Sequence, residues 1–229
     1  MEFTKLSNRL DLVASFVPAG ARLLDVGSDH AYLPIALLQE GKIEAAIAGE
    51  VVEGPYQSAL QNVADNGLED KIEVRLANGL AAFEPADGIS CITIAGMGGR
   101  LIADILAAGL EKLANVSRLV LQPNNREDEL RAWLVNHDFR IVDEAILEEN
   151  EKFYEILVVE QGSQELTAKE LRFGPYLMRE QAPAFVQKWS KEVEKLAFAL
   201  EQVPVENQSA RASLEERIAH IKEVLHVSK

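Results

Sequence analysis

The stretch RLLDVGSDHAYLP, from Arg22 to Pro34, decides the fold class of this chain. An apolar strand runs into an acidic residue and a glycine, and a helix begins shortly afterwards. In doubly wound α/β sheets, the loop after the first strand contacts a nucleotide-like ligand. The G-x-G-x-x-G pattern of dinucleotide-binding loops is missing, because Gly27 is the only glycine in the stretch. Asp29 and His30 stand at the tip of the loop instead.

Apolar segments and helical patterns alternate through residue 160, which predicts five βα units. The five strands are predicted at ARLLDVG, AAIAGEV, KIEVRLANG, GISCITIAGMGG and SRLVLQPNN. FRIVDEAILEE and KFYEILVVEQ then follow each other without a helix, so we expect a terminal antiparallel β-hairpin. This order predicts an α/β, Rossmann-like fold. The closing hairpin resembles the sheet of class I methyltransferases rather than that of dehydrogenases.

The sequence after the hairpin has helical patterns only. The segment ELTAKELRFGPYLMREQ predicts two short helices broken at Gly174-Pro175. Apolar residues at steps of three or four then predict two longer helices that form an antiparallel, coiled-coil-like hairpin. We therefore expect a sheet domain at residues 1–160 and a C-terminal helical domain at residues 161–229. The helical domain is either a packing appendage or dimer contact, or an arm that reaches a large substrate.

Composition and charge limit the function without deciding it. The net charge of −14 is carried by residues 1–160, because acidic and basic residues are equal in number in the remainder. Phosphate binding needs a local cationic surface rather than a basic total, so this charge excludes no nucleic-acid partner. The single cysteine, Cys91, allows no internal disulfide and fits a reducing compartment. With no signal-peptide pattern and no bilayer-length apolar run, we expect a cytoplasmic protein without a membrane partner.

Polar residues at the strand ends are the candidate ligand contacts, because ligands of doubly wound sheets lie there. Glu50 ends the second strand about 20 residues after Gly27, where a carboxylate accepts the ribose hydroxyls of an adenosine. Without a glycine-rich pyrophosphate loop, a compact ligand with an amino-acid group fits better than a dinucleotide. S-adenosylmethionine is such a ligand, and its ammonium would lie near Asp25 or an adjacent carbonyl. A solvated acid at a strand end is the alternative for Glu50.

Three further segments carry candidates with open alternatives. Asn78, followed by Gly79, either meets an adenine edge or forms a plain turn. In AGMGG, residues 95–99, the glycines either let the backbone approach a ligand or make a packing turn. QPNN, residues 122–125, either presents amides to a flat polar base or ends a strand and caps a helix. Asp29 either faces a target, together with His30, or caps the following helix. No metal site is predicted.

With these residues assembled, the chain resembles the TrmK family of bacterial tRNA (adenine-22-N1)-methyltransferases. The motifs LDVGSDHAYLP, AGMGG, QPNN and ELRFGPYLMRE carry the resemblance, and their order and spacing extend it over essentially the whole chain. The resemblance implies that residues 1–160 bind S-adenosyl-L-methionine and transfer its methyl group to N1 of an adenosine in the D-arm region of tRNA. It also implies that the helical domain helps to grip the tRNA.

The resemblance assigns roles to the strand-end residues. The implied cofactor-binding set is Asp25, Gly27, Asp29, Glu50, Asn78, Gly79, Ala95 and Gly96. The implied catalytic set on the target side is Asp29, His30, Met97, Gln122 and Asn124. Adenine N1 carries a lone pair and no proton, so in-line positioning would do most of the catalysis. Asp29 would stabilise the charge that develops on the base, Asn124 would accept from its amine, and Tyr32 or Met97 would pack on the extruded ring.

Other functions stay open at this point. A methyltransferase for a small molecule or a protein would not need the helical domain for grip, and a ligand-sensing module would bind the cofactor without turnover. A nucleotide-dependent oxidoreductase fits least, because the glycine fingerprint is missing. Six cations are candidate tRNA contacts, and a solvated surface charge is the alternative for each. Near the predicted site edges lie Arg9, Arg100 and Arg126, and near one helical face lie Lys188, Lys191 and Lys195. DNA is not expected as a partner, and a monomer is the expected state.

Overall fold

The computed structural model describes residues 4–226. Seven strands form one sheet in the order β3-β2-β1-β4-β5-β7-β6. The strands are β1 (Ala21–Val26), β2 (Ile43–Glu50), β3 (Ile72–Leu76), β4 (Cys91–Met97), β5 (Arg118–Pro123), β6 (Phe139–Glu149) and β7 (Lys152–Gln161). The helices are α1 (Asn8–Ser15), α2 (Tyr32–Gln39), α3 (Glu53–Asp65), α4 (Gly99–Ala108), α5 (Glu127–Val135), α6 (Ala168–Phe173), α7 (Pro175–Glu180), α8 (Pro183–Gln202) and α9 (Gln208–His226). The outer ends of the two predicted domains, residues 1–3 and 227–229, lie outside the described residues.

The sheet is parallel except at one edge. Leu24 of β1 lies opposite Ile47 of β2 and Ile92 of β4 in parallel pairs. β7 runs antiparallel to both β5 and β6. β6 therefore lies at the edge of the sheet, and β7, which follows it in the chain, lies between β6 and β5. The α/β, Rossmann-like fold predicted from the alternation of strands and helices is confirmed.

The two faces of the sheet fill two separate cores. Leu24 shares a core with Ile102 of α4 and Leu130 of α5. Its neighbour Leu23 shares the other core with Val13 of α1 and Leu33 of α2. Successive side chains of a strand point to opposite faces, so apolar residues are required along the whole strand. In β1 and β2, the buried polar residues Asp25 and Glu50 lie at or next to the last residue of the strand.

The buried face of α4 differs from the simplest interpretation of its spacing. Leu101, Ile105 and Leu106 share a helical spacing that predicts one buried stripe. The structure buries Ile102 with Ile105 and Leu106, and it leaves Leu101 51% exposed. Leu101 lies four residues before Ile105 and Ile102 lies four residues before Leu106, so both sets fit one helical face and only the packing of α4 on the sheet decides between them.

Helices α6 to α9 pack on the edge of the sheet. A third core joins Phe173, Phe185 and Trp189 to Ile221 of α9 and to Ile146 of β6. Because the helices share this core with an edge strand, the division into two domains stays a prediction. Within residues 4–226, none of the helices has the length and apolar character needed to cross a membrane.

Three buried charges and the half-buried Lys188 also connect the sheet to the helices. Arg131 on α5 donates through Nε to Glu144 Oε1 at 2.8 Å and through Nη2 to Glu155 Oε2 at 2.5 Å. Lys188 on α8 donates to Glu155 Oε1 at 2.7 Å. Burial works to raise the pKa of Glu155, but the two cations hold that pKa below its ordinary value. We call Arg131, Glu144, Glu155 and Lys188 the Arg131 cluster.

Candidate active site

The loop after β1 has an unusual backbone conformation. Asp29, His30 and Ala31 have φ values of +45°, +71° and +60°, in the left-handed region that L residues rarely adopt. Each such residue costs on the order of 1–3 kcal/mol and persists only where its surroundings fix it. Here Asp29 N donates to Glu50 Oε1 at 2.6 Å, and Asn62 Nδ2 donates to the His30 carbonyl at 3.0 Å. This strain marks the loop as a candidate functional segment.

Asp29 does not cap α2. The helix begins at Tyr32, and Ala31 stands at its N-cap without a side-chain hydrogen bond. The Asp29 side chain is 85% exposed, and its Oδ1 atom lies 3.4 Å from His30 Nε2. The capping alternative is therefore wrong, and Asp29 instead presents a carboxylate at the outer surface of the loop.

Asp25 is buried beneath this loop. Its Oδ2 atom accepts from Ser28 Oγ at 2.5 Å, and its Oδ1 atom accepts from Thr93 Oγ1 at 2.6 Å. Burial raises the pKa of Asp25, although both hydroxyls work against that rise. Since both oxygens are engaged, Asp25 ties β1, β4 and the loop together. Ser28 and Thr93 were not predicted, because a hydroxyl partner leaves no spacing signal in a sequence.

Glu50 holds the loop from the neighbouring strand. It is buried at the end of β2, and its Oε1 atom accepts the Asp29 backbone N–H. Burial raises the pKa of Glu50, and the hydrogen bond from Asp29 opposes that rise. Within residues 4–226, its second oxygen has no hydrogen-bond donor. Glu50 is thus a loop support with one oxygen left for a ligand.

The glycines at the ends of β1 and β4 serve different purposes. Gly27 has φ +66°, and a Cβ at this position would lie 2.4 Å from Met97 Cε. Gly96 has φ +80° and lies at the irregularity in the pairing of β4 with β5. It lines the cavity described below. A Cβ on Gly99 would lie 2.5 Å from the Arg126 carbonyl oxygen, which makes Gly99 a packing residue. The packing alternative for AGMGG therefore holds at Gly99, and a close approach of a ligand at Gly96 stays a prediction.

The side-chain amides of Gln122 and Asn124 form a network whose orientation the backbone fixes. Gly96 N donates to Gln122 Oε1 at 3.0 Å, so this atom is the acceptor and Nε2 is the donor. Gln122 Nε2 donates to Asn124 Oδ1 at 3.1 Å, and Asn124 Nδ2 donates to the Gly96 carbonyl at 2.7 Å. Arg9 Nη1 reaches the same Gln122 oxygen at 2.6 Å. Gln122 is fully buried and supports Asn124, which is exposed.

A cavity of about 330 Å³, here called the reaction cavity, lies between this network and the β1 loop. Its walls include the predicted residues Asp25, Gly27, Asp29, Ala95, Gly96, Met97 and Asn124, together with Arg9, Leu10, Ser28, Tyr32 and Tyr154. His30, Glu50 and Gln122 are not on the walls, although each lies beside or bonds to a residue that is. Tyr154 of β7 was not predicted, because nothing in its strand pattern separates it from a structural residue.

A second cavity, of about 360 Å³, lies at the end of β3. Asn78 and Gly79 line it from the strand side, and Leu101, Asp104 and Ile105 line it from α4. The exposed Leu101 side chain thus forms a cavity wall. The predicted cofactor residues are therefore divided between two cavities on the same edge of the sheet.

A groove of about 910 Å³ continues from the reaction cavity towards the helices, and Asn124 and Tyr154 line both. Its charged lining consists of Lys152, Arg172, Lys188, Lys191 and Lys195 with Glu127, Asp128 and Glu192. Arg172 lies over Trp189 and Lys191 lies over Phe153, at 5.5 and 4.9 Å from the ring centroids. We call this feature the cationic groove.

The predicted cations differ in how far they are available to a partner. Lys188 is bound in the Arg131 cluster, and Arg100 and Arg126 both pair with Glu129. Lys191 pairs with Glu148 at 3.1 Å and Lys195 with Glu192 at 3.7 Å, both at the surface. Exposed pairs of this kind are weak and exchange readily for a phosphate.

Comparison with known proteins identifies the family. The family model described as TrmK, tRNA (adenine(22)-N(1))-methyltransferase, matches residues 23–223. The chain belongs to this family. The resemblance carried by its four motifs is therefore confirmed.

Individual relatives of the TrmK family match nearly the whole chain. The tRNA (adenine(22)-N(1))-methyltransferase of Bacillus subtilis is 39% identical and covers 98% of this chain and 99% of its own length. A Streptococcus pneumoniae protein crystallised in complex with S-adenosyl-L-methionine is 66% identical, with a TM-score of 0.90 over 97% of this chain and 100% of that one. M. capricolum TrmK, whose structure was solved in complex with S-adenosyl-homocysteine, is 29% identical, with a TM-score of 0.84 over 98% and 99% of the two chains.

Proposed function

We propose that this protein transfers the methyl group of S-adenosyl-L-methionine to N1 of the adenosine at position 22 of tRNA. The observation that carries the proposal is the reaction cavity, in a chain that belongs to the TrmK family. The structures of two relatives were solved with the cofactor or its product bound, which supports the choice of cofactor.

The strand-end residues fit this cofactor. Gly27 allows the loop backbone to approach the amino-acid end of the cofactor, because it has no side chain. Its positive φ also keeps the loop close to Met97. The second oxygen of Glu50 accepts from ribose hydroxyls, and the cavity between Asn78 and Leu101 suits an adenine ring. The bound cofactor supplies an electrophilic methyl group on a sulfonium. The chain's own task is to bind it and to keep water from the reaction cavity.

On the target side, the chain orients the base rather than removing a proton. N1 of adenine is unprotonated at neutral pH, so effective positioning of the acceptor is the main requirement. Asn124 Oδ1 accepts one hydrogen bond from Gln122 and has a second lone pair for the exocyclic amine of the base. The exposed Asp29 carboxylate, which His30 contacts, stabilises the positive charge that develops on the methylated base. Met97 and Tyr32 offer the apolar surface on which the base packs.

The cationic groove is the proposed path of the tRNA. It opens into the reaction cavity at Asn124 and Tyr154 and carries five cationic side chains against three acidic ones. Arginine and aromatic side chains that stack on each other are typical of RNA-binding surfaces. The overall negative charge of the chain then repels RNA elsewhere and favours this one face. On this proposal, tRNA binding weakens with salt in proportion to the phosphates that the groove neutralises.

The cellular setting follows from the substrate. We propose that the enzyme acts in the cytoplasm on tRNA transcripts and contacts neither a membrane nor DNA. We also propose that it works as a monomer.

One experiment tests the activity and its position together. Purified protein is incubated with radiolabelled S-adenosyl-L-methionine and unmodified tRNA carrying either adenosine or guanosine at position 22. The RNA is then digested to nucleosides. The proposal expects label in 1-methyladenosine only from the adenosine transcript. Label in neither RNA, from a protein that binds the cofactor, would reject the tRNA substrate in favour of a small-molecule or protein acceptor.

A further inference from the structure

Arg9 brings a cation to the reaction cavity from a helix that precedes the first strand of the sheet. Its Nη1 atom donates to Gln122 Oε1 at 2.6 Å, and its Cζ atom lies 5.5 Å from the centroid of the Tyr154 ring. A Cβ on Gly96 would lie 3.3 Å from Nη1, so the guanidinium rests on the backbone at the end of β4. Among the described residues that line this cavity, Arg9 is the only basic one.

Most of the hydrogen-bonding capacity of Arg9 is unused within the chain. A guanidinium carries five N–H donors in a planar fork that matches an oxyanion. Within residues 4–226, Arg9 donates one hydrogen bond, to a neutral amide, and pairs with no carboxylate. In contrast, Arg131 satisfies its fork with two carboxylates and a carbonyl of the protein. The remaining donors of Arg9 therefore have no anionic partner within residues 4–226.

The chemistry of the reaction limits what that anion is. The methylated base is cationic, so direct contact with Arg9 would raise the energy of the product by like-charge repulsion. The substrates carry two kinds of oxyanion, the carboxylate at the amino-acid end of the cofactor and the phosphates of the RNA strand. A guanidinium binds either of them through two parallel hydrogen bonds.

We propose that Arg9 is the oxyanion-binding residue of the reaction cavity. It takes the cofactor carboxylate or an RNA phosphate, while its Nη1 atom holds Gln122 and, through Gln122, the Asn124 amide. The identity of these two oxyanions rests on the proposed function. The placement of the unused donors at the cavity does not depend on it.

The test compares the wild type with Arg9→Met, and Arg140→Met is the matched control. Arg140 is an exposed arginine on the edge strand β6, where it pairs with Glu160. Calorimetry measures the affinities for S-adenosyl-homocysteine and for 5′-methylthioadenosine, which lacks the amino-acid end. Filter binding measures the affinity for unmodified tRNA over a range of salt concentrations. Thermal melting checks that each variant is folded.

The two sources of the oxyanion give different results. If Arg9 binds the carboxylate, Arg9→Met weakens S-adenosyl-homocysteine binding by about tenfold or more and leaves 5′-methylthioadenosine within about twofold. If Arg9 binds a phosphate, both affinities stay unchanged, and the slope of log affinity against log salt for tRNA becomes shallower by roughly 0.7 to 0.9. Arg140→Met is expected to change neither the two ligand affinities nor the salt slope for tRNA.

Other outcomes overturn the proposal. If Arg9→Met matches the control in every affinity and in the salt slope, Arg9 binds no oxyanion. If it weakens both nucleosides equally, Arg9 has a structural role only. Should Arg9→Met fail to fold, Arg9→Lys and Arg9→Gln give the same comparison, because they alter the fork or the charge separately. A wild type that binds both ligands without methylating RNA rejects the proposed function, and the binding comparison still decides the role of Arg9.

Discussion

The β1 loop and the Arg131 cluster both bury two carboxylates, but they satisfy them in opposite ways. In the cluster, Arg131 and Lys188 neutralise Glu144 and Glu155 directly. Beneath the loop, Asp25 and Glu50 accept only from hydroxyls and a backbone N–H. Burial raises the pKa of Asp25, of Glu50 and also of Glu144, whereas the two cations that contact Glu155 lower the pKa of that carboxyl.

This difference separates a structural site from a binding site. Buried charges that are paired within the chain form a closed network and need no ligand. Buried carboxylates without a cation leave a region of negative potential at the strand ends, which suits a cofactor that carries an ammonium and a sulfonium. The predictions below test this distinction, beginning with the largest expected effect.

Breaking the closed network should cost the most stability. Arg131→Met leaves Glu144 buried without a paired cation and Glu155 with Lys188 alone, so we expect a loss of about 3–5 kcal/mol in the free energy of unfolding. Urea unfolding measures this loss. The exposed Arg140–Glu160 pair is the control, and Arg140→Met should cost less than about 1 kcal/mol. Equal losses in the two variants would contradict a stabilising role for the cluster.

Changing the loop glycine should remove function more than stability. Gly27 and Gly41 have nearly the same backbone, with φ values of +66° and +68°, but only at Gly27 would a Cβ meet another residue. Alanine at either position should therefore cost about 1–2 kcal/mol of stability. We expect Gly27→Ala to lower methylation about 100-fold, since its Cβ displaces the end of the Met97 side chain that lines the reaction cavity, and Gly41→Ala to leave it within about twofold. Initial rates with tRNA provide the measurement, and similar rates for the two variants would disprove a role for close approach at Gly27.

Removing the charge of the loop tip should affect turnover and not cofactor binding. Asp29→Asn keeps the shape of the side chain but cannot stabilise a cationic base, so we expect kcat to fall about tenfold or more. Asn124→Ala should also lower kcat, because the base then loses a hydrogen-bond acceptor for its exocyclic amine. Affinity for S-adenosyl-homocysteine should stay within about twofold in both. Glu40→Gln, an exposed acid at the other end of α2, is the control, and weaker cofactor binding in Asp29→Asn would reassign Asp29 to the cofactor side.

The smallest expected effect concerns Glu50 and pH. Because burial raises its pKa in the folded protein, the folded state holds a proton that the unfolded state has already released. The wild type without ligand should therefore lose stability relative to Glu50→Gln as the pH rises from 4.5, the ordinary value for this carboxyl. Urea unfolding of both proteins between pH 4.5 and 7.5 measures the difference. A difference that is constant over this range would mean that Glu50 has the same pKa in both states.

The sequence predicted the strand ends well, because their signal is local. Each strand is an apolar run that stops at a polar residue or a glycine, and parallel strands bring those ends to one edge. Seven of the residues that the sequence put at the site therefore line one cavity. Local periodicity could not give the partners of these residues. Arg9 and Gln122 are far apart in the chain, and Thr93 meets Asp25 only because β4 lies beside β1.

Backbone conformation was also beyond the sequence. The left-handed run at Asp29, His30 and Ala31 contradicts the ordinary preference of all three residue types. It exists because Glu50 and Asn62, on neighbouring elements, bond to the loop and offset its strain. The sequence also could not predict the partner of Lys188. Its spacing predicts a surface cation, but the side chain lies against Glu155.

By itself, the sequence determined the alternation of strands and helices, the edge of the sheet that carries the reaction cavity, and the family. These follow from hydrophobic periodicity and from short motifs, which are properties of neighbouring residues. Only the tertiary structure decided that β7 lies between β5 and β6, that Leu101 lines a cavity, and that Arg9 reaches the site. Those outcomes depend on contacts between distant segments, where several arrangements share one local pattern and packing selects among them.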